Sequence, residues 1–151
     1  KLLFFLKNTI FYYKSILQNN MPIGNVLIID DNKSILKLVS KFLESRGFAC
    51  IATHDGRNGF NLIKTGNHDV VLLDVAMPEF SGIDVLEKLA KEDKIKSEKI
   101  ILFTASSITE EEIDEFTKKG VYACLRKPAN TEELLRVITQ SIQNKEIMNH
   151  E

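Results

Sequence analysis

The sequence predicts an α/β fold, a doubly wound five-stranded parallel sheet with helices on both faces. Strand-like and helix-like hydrophobic periods alternate from Asn25 onward, without a Pro/Gly/Ser-rich linker or an internal repeat. The strand-like segments are apolar throughout, which indicates a sheet that is covered on both faces, and right-handed crossovers then favour a doubly wound sheet. With 151 residues, 44% hydrophobic and 27% charged, the chain has the size and composition of one globular domain.

The first half of the chain predicts three strands and two helices. Residues 26–29 form the first strand, and the helix that follows ends at Gly47. One face of this helix carries apolar residues at i, i+3, i+4, i+7 and i+8 spacing, namely Ile35, Leu38, Val39, Phe42 and Leu43. Residues 48–53 form the second strand, residues 60–63 belong to a short helix between two glycines, and residues 70–73 form the third strand.

The second half of the chain continues the alternation. Ser81 is placed to cap a third helix, and a fourth strand follows at residues 99–103. Thr109 and Glu112 have the spacing of a capping box, which opens a fourth helix before the fifth strand at residues 121–125. The last helix begins near residue 130 and carries inward-facing apolar residues, namely Leu134, Leu135, Ile138 and Ile142.

Charge and cysteine content narrow the functional class. The formal net charge of −1 supplies no basic field that would attract nucleic acid, so no nucleic-acid partner is predicted. Cys50 and Cys124 lie in separate apolar segments and belong to no CxxC or Cys/His cluster. We interpret them as reduced thiols of a cytoplasmic protein.

Residues 1–20 differ in character from the rest of the chain. Lys7 and Lys14 interrupt their apolar stretches before these reach the roughly 20 residues of a membrane span, so no membrane span is predicted. No small-residue cleavage site of a signal peptide follows. We expect Met21 to be the biological start, residues 1–20 to be an upstream extension and residues 21–151 to form the folded domain. The alternative is a helix that binds a membrane surface or a partner.

Polar side chains follow the predicted strands where a parallel sheet presents its carboxyl ends. They are Asp30, Asp31, Asp74, Thr104 and Lys127. Ligand sites of doubly wound sheets lie at this edge. Each residue alone has an ordinary explanation: Asp31 as a helix N-cap, Thr104 as a hydrogen-bonded strand end and Lys127 as part of a solvated turn. Their convergence on one edge favours a shared site instead.

Three carboxylates at one edge need a cation or protons. Two unit charges at ~4 Å repel each other by about 4 kcal/mol at an effective dielectric constant near 20. A site with oxygen ligands and neither His nor Cys suits Mg²⁺, which readily shares ligands with a phosphoryl group. Lys127 adds a positive charge for phosphate, and the Thr104 hydroxyl adds a donor. The sequence therefore predicts a pocket that accepts Mg²⁺ and phosphate together.

Four ordered motifs resemble the receiver domains of two-component response regulators, the family that includes the single-domain chemotaxis regulator. They are Ile28-Ile29-Asp30-Asp31-Asn32, Val71-Leu72-Leu73-Asp74-Val75-Ala76-Met77-Pro78-Glu79-Phe80-Ser81-Gly82, Leu102-Phe103-Thr104-Ala105-Ser106 and Leu125-Arg126-Lys127-Pro128. The resemblance covers residues 24–144. It implies a flavodoxin-like sheet with strand order 2-1-3-4-5.

The resemblance also implies a role for each site residue. Asp74 is the expected phosphoacceptor, whose carboxylate attacks the phosphoryl group of a phosphohistidine. Lys127 pairs with a phosphoryl oxygen, and Thr104 binds another and reports phosphorylation. The implied Mg²⁺ ligands are Asp30, Asp31, Asp74 and the backbone carbonyl of Ala76. In this reading the protein catalyses only its own phosphorylation and dephosphorylation, and the family pattern includes a cis Lys127-Pro128 bond.

Two positions depart from the family pattern. Cys124 stands three residues before Lys127, where many members carry an aromatic residue. Tyr122 should face the same side of the strand by alternation, and it is either a replacement for that ring or a packing residue. Ala76 stands two residues after Asp74, where many members carry a larger polar side chain, although its carbonyl can still bind metal.

The resemblance implies a sensor histidine kinase or phosphotransfer protein as donor, a downstream effector protein as target, and a monomer or weak dimer. The helix after Thr109 is strongly acidic at Glu110, Glu111, Glu112, Asp114 and Glu115. This face is either solvated or a docking surface. The alternatives are a Mg²⁺-dependent phosphohydrolase with an aspartyl nucleophile, which needs a second carboxylate where Ala76 stands, or a phosphate shuttle without a conformational switch. A nucleotide binder is disfavoured because no GxGxxG or P-loop motif is present.

Overall fold

The computed structural model describes residues 21–105 and 108–148, with side chains up to Gln143. The expectation that residues 1–20 form an upstream extension falls outside these residues. Within the described ranges, no helix combines the length and apolar character that crossing a membrane requires.

Five parallel strands form one sheet in the order β2-β1-β3-β4-β5. The strands are β1 Asn25–Ile29, β2 Ala49–Thr53, β3 Val70–Leu73, β4 Ile100–Thr104 and β5 Ala123–Arg126. Ile29 pairs with both Thr53 and Leu73, so the carboxyl ends of the three strands are level. The predicted doubly wound, flavodoxin-like sheet and its strand order are confirmed.

Five α-helices connect and follow the strands in the described residues. They are α1 Lys33–Ser45, α2 Gly56–Thr65, α3 Gly82–Lys91, α4 Glu110–Lys119 and α5 Thr131–Met148, with a 3₁₀ turn at Ile95–Ser97 before β4. The predicted cap at Ser81 and the predicted Thr109–Glu112 capping box are both present. Gly120 ends α4 in the left-handed conformation, with φ of 115°.

The core has one apolar cluster on each face of the sheet. Successive strand residues alternate between the clusters: Ile29 and Leu73 pack with α2, α3 and α4, whereas Ile28 and Leu72 pack with α1 and α5. This arrangement explains why β3 is apolar throughout and why β1 and β4 are apolar except for one terminal residue each. The inward-facing residues predicted for α5 pack against the second cluster.

The predicted apolar face of α1 is wrong at Leu38. This side chain is 71% exposed, whereas Leu36, which was not predicted to face inward, is 8% exposed. The buried stripe is Leu36, Val39 and Leu43, at i, i+3 and i+7, and Leu38 lies on the other side of the helix.

The fifth strand begins two residues later than predicted, at Ala123. Tyr122 precedes the strand, so strand alternation does not apply to it. Its ring packs against the cluster with α1 and α5, whereas Cys124 packs against the opposite cluster. The expectation that Tyr122 and Cys124 share a face is therefore wrong, and Tyr122 is a packing residue whose ring centroid lies 5.3 Å from Lys99 Nζ.

Candidate functional site

The predicted site residues meet in one open cleft at the carboxyl edge of the sheet. Its volume is about 300 Å³, and its lining is Asp30, Asp31, Asn32, Ile35, Asp74, Ala76, Ala105 and Lys127. Thr104 is fully buried behind this lining and hydrogen-bonds to Asp74 through its side chain. The ends of β1, β3, β4 and β5 thus deliver all the predicted residues to one place.

Three carboxylates converge in the cleft. One oxygen from each of Asp30, Asp31 and Asp74 lies within 4.8 Å of the others. Asp30 and Asp74 are buried, whereas Asp31 is exposed. The Asp74 amide donates to Ile29 O at 2.8 Å and the Asp30 amide donates to Thr53 O at 3.1 Å, so strand pairing fixes the backbone of both buried acids.

Asn32, and not Asp31, is the N-cap of α1. Its side-chain oxygen accepts hydrogen bonds from Ser34 N at 3.0 Å and Ile35 N at 3.2 Å. The reading of Asp31 as a cap is therefore wrong, and its carboxylate remains at the cleft. The Asn32 amide donates to Asp30 Oδ1 at 2.9 Å. Sequence reasoning assigned Asn32 no role, although Asn directly before a helix is a preferred cap.

Lys127 is held inside the acidic cluster. Its ammonium donates to Asp30 Oδ2 and lies 3.7 Å from Asp74 Oδ2. The Phe103 ring centroid is 5.2 Å from Nζ, and the Lys127 side chain is only 10% exposed. The peptide bond to Pro128 is cis, as the family pattern implies. The solvated-turn reading of Lys127 is wrong.

The environment of Asp74 disfavours its charged form. Burial raises the pKa of the Asp74 carboxyl above its ordinary value of 3.8, and the Asp30 carboxylate adds to this rise. The Lys127 ammonium and hydrogen bonds from the Thr104 hydroxyl and the Ala76 amide lower the pKa without cancelling the effect of burial. One ammonium thus faces three carboxylates, which leaves the cluster with excess negative charge.

The donor set fits Mg²⁺. All three side-chain donors are carboxylate oxygens, and exposed Asp31 opens the cluster to solvent, which suits an ion that keeps several waters. Ala76 is exposed at the same cleft, and its amide lies 3.4 Å from Asp74 Oδ1. A divalent cation here would offset the charge that burial makes unfavourable on Asp74.

Removing the Asp74 charge should stabilise the metal-free protein. Above the raised pKa, Asp74 is charged in the folded state and its burial opposes folding; below the ordinary value of 3.8 it is protonated in both states and the penalty vanishes. Asp74→Asn should therefore raise the melting temperature at neutral pH by a few degrees, which corresponds to a gain of about 1 kcal/mol in the free energy of unfolding. The difference from wild type should shrink as the pH falls through the raised pKa. Thermal unfolding in chelator across pH measures this, and a variant less stable than wild type at neutral pH would contradict it.

A family model and curated relatives each match about three quarters of the chain. The model of the response regulator receiver domain matches residues 26–139. The "Probable transcriptional regulator ycf29" of Porphyra purpurea is 30% identical over 118 residues, which is 78% of this chain and 56% of that protein. The polar-differentiation response regulator DivK of Brucella anthropi is 27% identical over 114 residues, which is 76% of this chain and 92% of that protein. The chain thus spans about half the length of the first relative.

Solved structures show the same fold. The CheX-CheY-BeF3-Mg²⁺ complex of Borrelia burgdorferi contains a chain that is 29% identical, with a TM-score of 0.69 over 77% of this chain and 87% of that chain. The family model spans three quarters of this protein and includes the strand ends that form the cleft. The chain belongs to the family of response regulator receiver domains.

Proposed function

We propose that this receiver domain accepts a phosphoryl group on Asp74 from the phosphohistidine of a sensor histidine kinase or phosphotransfer protein, in a Mg²⁺-dependent reaction, and signals through protein contacts. The observation that carries the proposal is the position of Asp74. Its carboxylate borders an open cleft together with two further carboxylates and the Lys127 ammonium.

The reaction needs one nucleophile and charge neutralisation. An Asp74 carboxylate oxygen attacks phosphorus while the P–N bond to histidine breaks; the nitrogen keeps the bonding electrons, and an acyl phosphate remains on Asp74. Lys127 neutralises a phosphoryl oxygen, and the Thr104 hydroxyl turns from Asp74 to donate to another. Mg²⁺, held by Asp30, Asp31, Asp74 and the Ala76 carbonyl, supplies further positive charge to the phosphoryl oxygens when bound.

In this proposal, residues 21–151 form the receiver domain. The phosphorylated domain then binds a downstream effector protein in the cytoplasm. The acidic helix α4 and strand β5 support this proposal as a joint surface: Arg126 Nη2 donates to Ile108 O at 2.8 Å and to Glu110 Oε1 at 2.9 Å. These bonds tie β5 to Ile108 and to the first residue of α4, and Arg126 is also the residue that pairs with Thr104 in the sheet. A movement of Thr104 on phosphorylation can therefore change the position of α4 through these contacts.

A phosphate shuttle without a conformational switch is the second candidate. It is favoured because Tyr122 packs on the face of the sheet opposite Cys124, so it cannot replace the ring missing at Cys124. A phosphohydrolase is not favoured. Ala76 presents a methyl group at the position where such an enzyme needs a carboxylic acid or carboxylate.

Incubation with acetyl phosphate, with and without Mg²⁺, followed by intact mass spectrometry tests the proposal. We expect one phosphoryl adduct per chain in the presence of Mg²⁺ and none in excess chelator. A protein that takes up no phosphoryl group under either condition would contradict the proposal. Repeated Mg²⁺-dependent turnover of a simple phosphomonoester would instead establish a phosphohydrolase.

A further inference from the structure

The loop between β3 and α3 carries Asp74 and Ala76 into the cleft and is anchored to the core by three of its side chains. Val75, Met77 and Phe80 are buried, whereas Ala76 is exposed. The end of the loop is fixed by the Gly82 amide, which donates to Val75 O at 3.0 Å. The path of the backbone at Ala76 therefore depends on how its buried neighbours are seated.

Phe80 contacts side chains of the helices on both sides of this loop. Its ring centroid lies 4.9 Å from the guanidinium of Arg57 on α2 and 5.1 Å from the ammonium of Lys88 on α3. Its carbonyl rests directly on the first residue of α2, because a Cβ added at Gly56 would lie 2.1 Å from Phe80 O. The same added atom would lie 3.2 Å from the Cε of Met77. The start of α2 is thus packed against the loop without room for a side chain.

We infer that Phe80 is a positioning residue of the cation site: by locking the loop between α2 and α3, it sets where Ala76 presents its carbonyl beside Asp74. This inference rests on the proposed function, since it concerns how well the same cleft binds Mg²⁺. Phe80 itself does not line the cleft, so it acts only through the loop backbone. Replacing a residue that orients a metal ligand without binding the metal itself typically weakens metal affinity ~10- to 100-fold.

Phe60 provides a matched control on the same cluster. Phe60 is 9% exposed and Phe80 is 8% exposed, and both belong to the core on one face of the sheet. The Phe60 ring also lies between two cations, at 5.3 Å from Lys64 Nζ and 5.4 Å from Lys88 Nζ. Phe60 belongs to α2 and not to the loop. The two alanine variants therefore lose similar burial and similar cation contacts.

Calorimetric Mg²⁺ titration of the full chain separates positioning from general stability. We expect Phe80→Ala to bind Mg²⁺ about tenfold more weakly than wild type, and Phe60→Ala to bind it as wild type does, although both unfold at lower temperature. Gly56→Ala keeps both rings, but the added Cβ forces the loop and the start of α2 apart, so we expect it to weaken Mg²⁺ binding as Phe80→Ala does.

The outcomes distinguish this inference from the proposed function. Equal Mg²⁺ affinity in Phe80→Ala and Phe60→Ala, with wild type binding Mg²⁺, would overturn the positioning role alone. A wild-type protein that neither binds Mg²⁺ nor takes up a phosphoryl group would overturn the proposed function itself. If an alanine variant fails to fold, Phe80→Leu and Phe60→Leu keep apolar bulk and give the same comparison, with weaker Mg²⁺ binding expected only for Phe80→Leu.

Discussion

Asp74→Ala should abolish phosphorylation by acetyl phosphate. The substitution removes the nucleophilic oxygen but leaves Asp30, Asp31 and Lys127 in the cleft. These remaining carboxylates should not substitute for it, because Asp30 is already engaged by Lys127 and by the Asn32 amide, and Asp31 extends into solvent. Intact mass spectrometry after incubation with Mg²⁺ should detect only the unmodified variant.

Asp114→Ala is the control for this loss. Asp114 is an exposed carboxylate on α4, 4.0 Å from Lys118, and does not line the cleft. Its replacement should leave one phosphoryl adduct per chain. Labelling of Asp74→Ala to the same extent as Asp114→Ala would show that another residue accepts the phosphoryl group.

Lys127→Ala should slow phosphorylation by about 10²- to 10³-fold, the usual cost of removing one group that stabilises developing charge. Its ammonium is the cation 3.7 Å from Asp74 Oδ2 among the residues that line the cleft. Mg²⁺ affinity should rise at the same time, because Lys127 no longer competes for the Asp30 carboxylate. The time course of the adduct by mass spectrometry measures the rate, and calorimetry measures the affinity.

Lys127→Arg separates charge from geometry in this experiment. Arginine keeps the positive charge, but its planar guanidinium cannot reproduce the point charge of an ammonium between Asp30 and Asp74. Its rate should fall between those of wild type and Lys127→Ala. A Lys127→Ala rate equal to that of wild type would contradict the role of Lys127 as a phosphoryl partner.

The sequence was sufficient to predict the strands of the sheet, because strands that are buried on both faces are recognisable as continuous apolar runs. The continuous apolar runs of β1 and β3 have one structural solution, a sheet covered on both faces, and Asp30 and Asp74 are the first residues after those strands. Leu38 shows the limit of helical periodicity. The set that includes Leu38 and the set that includes Leu36 are both consistent with one face, and the packing of α1 on the sheet selects the second.

The site could be predicted as a set of residues but not as a set of contacts. The sequence predicted that Asp30, Asp74, Thr104 and Lys127 lie at one edge of the sheet, because this prediction requires only that the strands run in the same direction. The pairing of Lys127 with Asp30 depends on side-chain conformation, which the sequence does not specify. The seating of Phe80 against Gly56 depends on helix packing across two loops, and no local pattern indicates it.

The central claim is that Asp74 itself carries the phosphoryl group, and reductive trapping tests it most directly. Sodium borohydride converts an aspartyl phosphate into homoserine, so the protein should be phosphorylated with acetyl phosphate and Mg²⁺, reduced, digested and mapped by mass spectrometry. The prediction is homoserine at position 74, with Asp30 and Asp31 unmodified. Homoserine at position 30 or 31, with Asp74 intact, would contradict the account.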